Sequence, residues 1–186
     1  MELMDAIKGR RSIRKYKPDP VSDKDIELLL EAARWAPSWA NTQCVRWVVV
    51  RDRETRMKLA ETLSSTNPAA EAIRTVPVVL ALCAEAGRSG IKKGVAVTDK
   101  GDWFMFDAAL AAQNLTLMAH ALGLGTVNIG YFDAKKAEQV LEMPANARAV
   151  ELIPLGYPDE QPRGPGRKEL IEVVFREKYG QRQHNG

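Results

Sequence analysis

The sequence predicts an α+β domain with a central mixed or antiparallel sheet flanked by helices. Three observations predict it. Segments with apolar residues at helical spacing interleave with short β-branched runs. The intervals between them are too irregular for repeated βαβ units. The longest apolar run, Val76 to Ala84, is bounded by loops, as a strand buried on both faces would be. A chain of 186 residues is one ordinary domain, so 1–186 reads as a single unit.

The elements follow in order. Residues 2–9 form a short helix that stops at Gly9. Ser22 and Asp25 make a capping-box-like start, after which Ile26, Leu29, Leu30 and Ala33 recur at helical spacing until Pro37. Trp47 to Val50 is a strand, and Asp52 caps a helix over 53–63. Val76 to Cys83 is the buried strand, and 86–101 is a polar, glycine-containing loop. Asp102 to Leu122 is a helix apolar on most of its circumference, closed by Gly123 and Gly125, and needs burial by the domain or a second subunit. Val127 to Ile129 is a short strand, 133–142 a helix, and Ala149 to Leu155 a strand. A Pro/Gly/Arg loop over 156–168 leads to a last strand at Ile171 to Phe175. Trp35 and Trp47 are expected in the core. Trp103 and Phe104 open the long helix and either pack at an interface or line a pocket.

Composition excludes several functions. The net charge of +3 is too small for a whole-surface nucleic-acid binder. No apolar run approaches the ~20 residues of a membrane span. The start has no apolar signal segment, so a cytoplasmic protein is expected. Cys44 and Cys83 stand alone, without metal-ligand spacing, and no metal site is expected. His120 and His184 are the only histidines, and neither accompanies a nucleophile signature. There is no GxGxxG or GxxxxGK[ST]; Gly123-Leu124-Gly125 follows a helical pattern and reads as a helix stop.

Four clusters carry chemistry. Arg10, Arg11, Ser12 and Arg14 gather three guanidiniums and a hydroxyl that suit a phosphate, or else a solvated basic turn. Pro37, Ser38, Trp39, Asn41 and Gln43 lie directly after a helix. Asn41 and Gln43 each donate and accept, which suits a ring edge of alternating N–H and C=O groups, as a flavin's is. The same segment also reads as a polar helix-terminating loop. Ile129 and Gly130 leave a strand where backbone N–H groups can come close to a ligand, with Asp133 available as a helix cap. Arg167 and Lys168 sit on a tight loop that could close over a phosphate.

In this order and spacing, RRSIRKY, APSWANTQ, ALGLGTVNIGYFD, and LGYP followed by Arg167 resemble the FMN-dependent nitroreductase family across nearly the whole chain. The resemblance implies a nitroreductase-like fold, an intertwined homodimer, and two FMN sites at the interface built from both chains. It implies Arg10, Ser12, Arg14 and Arg167 as FMN contacts. It also implies Pro37, Ser38, Trp39 and Asn41 as the segment reaching the partner's flavin, Asn67 as a flavin-edge amide, and the backbone around Gly130 near the flavin's N5. The loop over 86–101 is shorter than in larger members, which carry extra helices over the substrate pocket.

The function expected from this resemblance is ping-pong hydride transfer from NAD(P)H, through FMN, to a small electron-poor acceptor such as a nitroaromatic or quinone. Arg14 would stabilise the reduced cofactor electrostatically, and no side chain need act as acid or base. Rival readings are a flavin-binding or flavin-delivery protein without turnover, a specialised relative such as a dimethylbenzimidazole synthase or dehalogenase, and a regulatory module whose arginines hold an anionic partner.

Overall fold

The computed structural model describes residues 1–182; His184 lies outside the described residues. Helices α1 (Leu3–Gly9) and α2 (Asp23–Arg34) precede strand β1 (Val45–Val50), and α3 (Arg53–Ala60) and α4 (Ala69–Thr75) lead into β2 (Val78–Glu85). A small hairpin, β3 (Ile91–Lys92) and β4 (Val95–Ala96), precedes α5 (Phe104–Ala121). Strand β5 (Gly125–Thr126), helix α6 (Ala134–Val140), strand β6 (Ala147–Gly156) and helix α7 (Leu170–Val173) follow.

The main sheet runs β1-β2-β6-β5, every neighbouring pair antiparallel. Side chains of β2 alternate between two apolar layers, because successive residues of a strand point to opposite faces. Val78, Leu80, Leu82 and Ala84 pack with α2 and α5. Val79, Ala81 and Cys83 pack with α3, α4 and α6. Each fully buried Val or Leu is worth about 1.5–3 kcal/mol, so this strand anchors both cores. A bulge between Leu82 and Cys83 shifts the β2–β6 register by one residue at Val150.

The local signals act as the sequence suggests. Ser22 accepts from the Asp25 N–H, Asp52 from that of Thr55 and Asp133 from that of Lys136. The N-terminal segment joins the sheet edge through a parallel bridge between Ser12 and Thr126, with Ile13 N donating to the Thr126 carbonyl at 2.9 Å. That contact needs Gly125, where a Cβ would lie 2.9 Å from Ile13 Cβ.

Three expectations are corrected. The segment expected as a last strand is the helix α7, followed by extended Val174. Glu169 and Glu172 form a capping box there, and among the described residues the exposed Leu170, Ile171 and Val173 pair with no strand. The short strand after α5 begins at Gly125, and Ile129 makes only an isolated bridge to Leu152. Trp35 is 73% exposed; it falls one turn after Glu31, on the outer face of α2, and its indole N–H donates to that carboxylate. Helix α4 was not anticipated, since its seven residues are too few to show periodicity; Asn67-Pro68 ahead of an alanine-rich run was the available signal. Trp47 does pack against the α2/α5 core. Helix α5 buries Ala108, Ala111, Ala112, Leu115 and Ala119 but leaves Met105 and Phe106 exposed, so one chain covers only part of its apolar surface.

Candidate functional site

Two segments far apart in sequence run side by side. Lys17 N donates to the Tyr157 carbonyl and Asp159 N to that of Lys15, both at 2.9 Å. The Glu160 carboxylate accepts from the backbone N–H groups of Arg14 and Lys15. These bonds hold the 157–167 loop against residues 10–17. The guanidinium of Arg14 is left out of them.

The result is a concavity of about 340 Å³ lined by Arg10, Arg11, Ser12, Arg14, Arg163 and Arg167 together with Pro162 and Pro165. Among the described residues none of these five arginines is ion-paired. Burial, then the charges of Arg11 and Arg167, pull Arg10 below its ordinary value. Cations crowded without a counter-charge favour an anion, and each charge-assisted hydrogen bond to one contributes about 1.5–3 kcal/mol. Arg10, Arg11, Ser12, Arg14 and Arg167 were all legible in the sequence. Arg163 was not, although it flanks the same Gly/Pro loop, and Lys168 does not line the concavity.

Pro37, Ser38 and Gln43 line a different concavity, about 380 Å³, between α2, β1 and α5. It shares no lining residue with the arginine cradle. Trp39–Asn41 is a single 3-10 turn, and Ala40, Asn41 and Gln43 all have positive φ, at 46°, 53° and 48°. Such backbone costs an L-residue roughly 1–2 kcal/mol each, somewhat less for Asn, whose side chain can bond locally. Ser38 Oγ accepts from Gln43 N at 2.9 Å and closes the loop. The residue that sequence reading missed is Asp107. Only 1% exposed, on the inner face of α5, its carboxyl group accepts from Trp39 N at 2.9 Å. It also accepts from Ser89 Oγ at 2.7 Å and, at 3.4 Å, from Thr42 Oγ1 and Cys44 Sγ. A lone acidic residue in an apolar helix was the available signal.

Ile129 is buried, while Gly130 is exposed, with nothing within 4 Å of where a Cβ would stand. Asn67 lines neither concavity; its side-chain oxygen accepts from Ala69 N and helps start α4. Cys44 is buried, and burial followed by the bond to Asp107 pushes its thiol up to about 11, so it is a donor and not a nucleophile. His120 lines a neighbouring concavity of about 530 Å³ with Arg10, Arg11 and Thr116. Among the described residues no cluster of His, Cys, Asp or Glu is placed to hold a metal ion, and no helix is long and apolar enough to cross a membrane.

The chain is similar to several known proteins. The profile described as "Nitroreductase family" matches residues 7–157. An NADH dehydrogenase of Thermus thermophilus is 33% identical, over 94% of this chain and 96% of its own length. An FMN reductase [NAD(P)H] of Bacillus subtilis is 34% identical, over 69% of this chain and 54% of its own. Among solved structures, a Desulfovibrio desulfuricans protein crystallised in complex with FMN superposes with a TM-score of 0.77. It is 30% identical, and the match covers 96% of this chain and 98% of that one.

Proposed function

The chain belongs to the nitroreductase family, and from that premise we propose that it binds FMN and works as an NAD(P)H-dependent oxidoreductase. Hydride passes by a ping-pong mechanism from the nicotinamide to an electron-poor acceptor such as a nitroaromatic or quinone. The single observation that carries the reading is the arginine cradle: five guanidiniums and a serine hydroxyl converge, and among the described residues no carboxylate pairs with the guanidiniums. A phosphate monoester brings close to two negative charges at neutral pH, which is the complement this cradle lacks. The residues present therefore fit the cofactor's phosphate.

When bound, FMN supplies the hydride chemistry, and the protein supplies position and electrostatics. Arg10, Arg11, Arg163 and Arg167 neutralise the phosphate, and Ser12 adds a hydroxyl. Arg14, its backbone tied to Glu160, is free to place its charge beside the ring system. The 37–43 loop lines a separate concavity, which supports the reading that it serves the flavin of a second copy of the chain. Exposed apolar residues Leu3, Met4 and Ile7 on α1 and Met105 and Phe106 on α5 support the same homodimer. No histidine or carboxylate is required as an acid or base; water can supply protons.

The test begins with FMN and riboflavin titrated into the purified protein. FMN is expected to bind far more tightly; equal affinity would overturn the phosphate assignment. The FMN-loaded protein is then mixed anaerobically with NADH or NADPH, followed by a nitroaromatic or quinone. Bleaching and then recovery of the flavin colour is expected. A flavin that neither nicotinamide bleaches would mark a binding or delivery protein. One that bleaches, yet is reoxidised by neither acceptor, would mark a specialised relative.

A further inference from the structure

We propose that Asp107 is a positioning residue for the flavin loop: it clamps the 38–43 segment with Ala40, Asn41 and Gln43 at positive φ, and so presents Asn41 and Gln43 to the flavin. The inference rests on the FMN reading above and extends it to a buried residue of α5, outside the loop itself.

A buried carboxyl group is costly unless its oxygens are filled. Asp107 fills them from two directions. Ser89 Oγ and Cys44 Sγ fix the carboxyl group from flanking chain, and α5 is itself packed into the core through Ala108 and Ala111. Trp39 N and Thr42 Oγ1 bring the loop to it. Those two attachments bracket Ala40 and Asn41, the adjacent pair with positive φ. Ala40 has no side-chain group that could ease this backbone, so the conformation must be held by its surroundings. Within the loop only the turn bonds Asn41 N to Ser38 O and Thr42 N to Trp39 O, and the closing bond to Ser38 Oγ, oppose relaxation. The shape of the loop is thus set by a helix residue 68 positions after Trp39.

The test compares the wild type with Asp107→Ala, Asp107→Asn and the double variant Asp107→Ala/Ala40→Gly. Two quantities are read: FMN affinity by flavin fluorescence, and the position of the flavin's visible absorption band, which reports contacts at the ring edge. Asp107→Ala is expected to bind FMN about tenfold or more weakly, with a shifted band. Asp107→Asn retains an oxygen for the Trp39 N–H and can donate to the Ser89 hydroxyl, so it should stay within about threefold of wild type. Glycine adopts positive φ unaided, so Ala40→Gly should restore part of the affinity lost in Asp107→Ala. Should Asp107→Ala fail to fold, Thr42→Val carries the test. It removes one loop attachment while keeping the side chain's shape, and a shifted band with roughly threefold weaker binding is expected. Wild-type affinity and spectrum in the Ala or Val variant, an Asn variant as damaged as the Ala variant, or no recovery from Ala40→Gly would each overturn the proposal. A wild type that binds no FMN would instead overturn the reading of the site on which it rests.

Discussion

The guanidinium of Arg11 lies directly over the α-carbon of Gly164: a Cβ at that position would stand 2.5 Å from Arg11 Nε. This contact joins the two halves of the arginine cradle, one from the chain's start and one from the loop after β6. Arg11 donates from the same group to the carbonyls of Lys8 and Arg10, so its direction is fixed from both sides. Gly164→Ala should push the flexible end of Arg11 aside. We expect a fall in FMN affinity of about 1 kcal/mol or more, with unfolding stability changed by less than about 0.5 kcal/mol. Calorimetric titration beside a thermal melt checks both; unchanged binding would show that Arg11 stands outside the phosphate site.

Arg14→Ala removes one charge-assisted contact, worth about 1.5–3 kcal/mol or roughly tenfold or more in Kd. Comparing FMN with riboflavin in this variant locates the contact. A loss shared equally by both ligands places Arg14 at the ring, as proposed, and a loss confined to FMN moves it to the phosphate.

At Asn41 two roles can be separated, because its φ is positive and the residue is exposed in a polar loop. Asn41→Gly keeps the backbone and should weaken FMN binding while leaving stability nearly unchanged. Asn41→Ala should add a backbone penalty of roughly 1 kcal/mol, visible as a lower unfolding midpoint. Wild-type flavin binding in the glycine variant would remove the amide from the site.

His120 gives a pH dependence. Burial, then the charges of Arg10 and Arg11, hold its imidazole below the ordinary value of 6.5. The unfolded chain therefore binds more protons than the folded one in that range, and stability rises with pH. It is fully present above the ordinary value and is lost as pH falls towards the depressed one. The stability of the FMN-free protein against urea should fall from about pH 7 to about pH 5.5, and His120→Gln should flatten that slope. A slope that survives the substitution would assign the acid sensitivity to other groups.

Leu3 and Ile7 lie one turn apart on α1, and both are exposed. If this face covers a second copy, Leu3→Glu with Ile7→Glu should leave the helix content intact and shift the protein towards monomer. FMN affinity should fall with it, because each site draws on both chains. An obligate interface typically buries above ~2,000 Å². Light scattering that finds the wild type monomeric when saturated with FMN would count against the shared site.

Much of this protein was legible in one dimension because its signals are local. Ser22, Asp52 and Asp133 cap helices through bonds that span three residues, and Val76 to Cys83 has no polar position for either face to expose. Arg10, Arg11, Ser12 and Arg14 fall within five positions, so a basic cluster was visible before any folding was considered. The last apolar stretch misled for the opposite reason: Ile171 to Phe175 has strand composition, but a strand needs a partner, and the described residues offer it none.

By itself the sequence determined the layered α+β class, the buried central strand, the caps, and which residue types could meet a phosphate or a ring edge. Only the tertiary structure decided which of them meet. Arg163 and Arg167 join Arg10 and Arg14 because the paired segments 10–17 and 157–167 bring together residues some 150 positions apart. Asp107 became the anchor of the 38–43 loop because burial on α5 left its oxygens no water to bond, and the loop's N–H and hydroxyl groups were within reach. Contacts between distant residues depend on how helices and sheet pack, and no spacing along the chain encodes that distance.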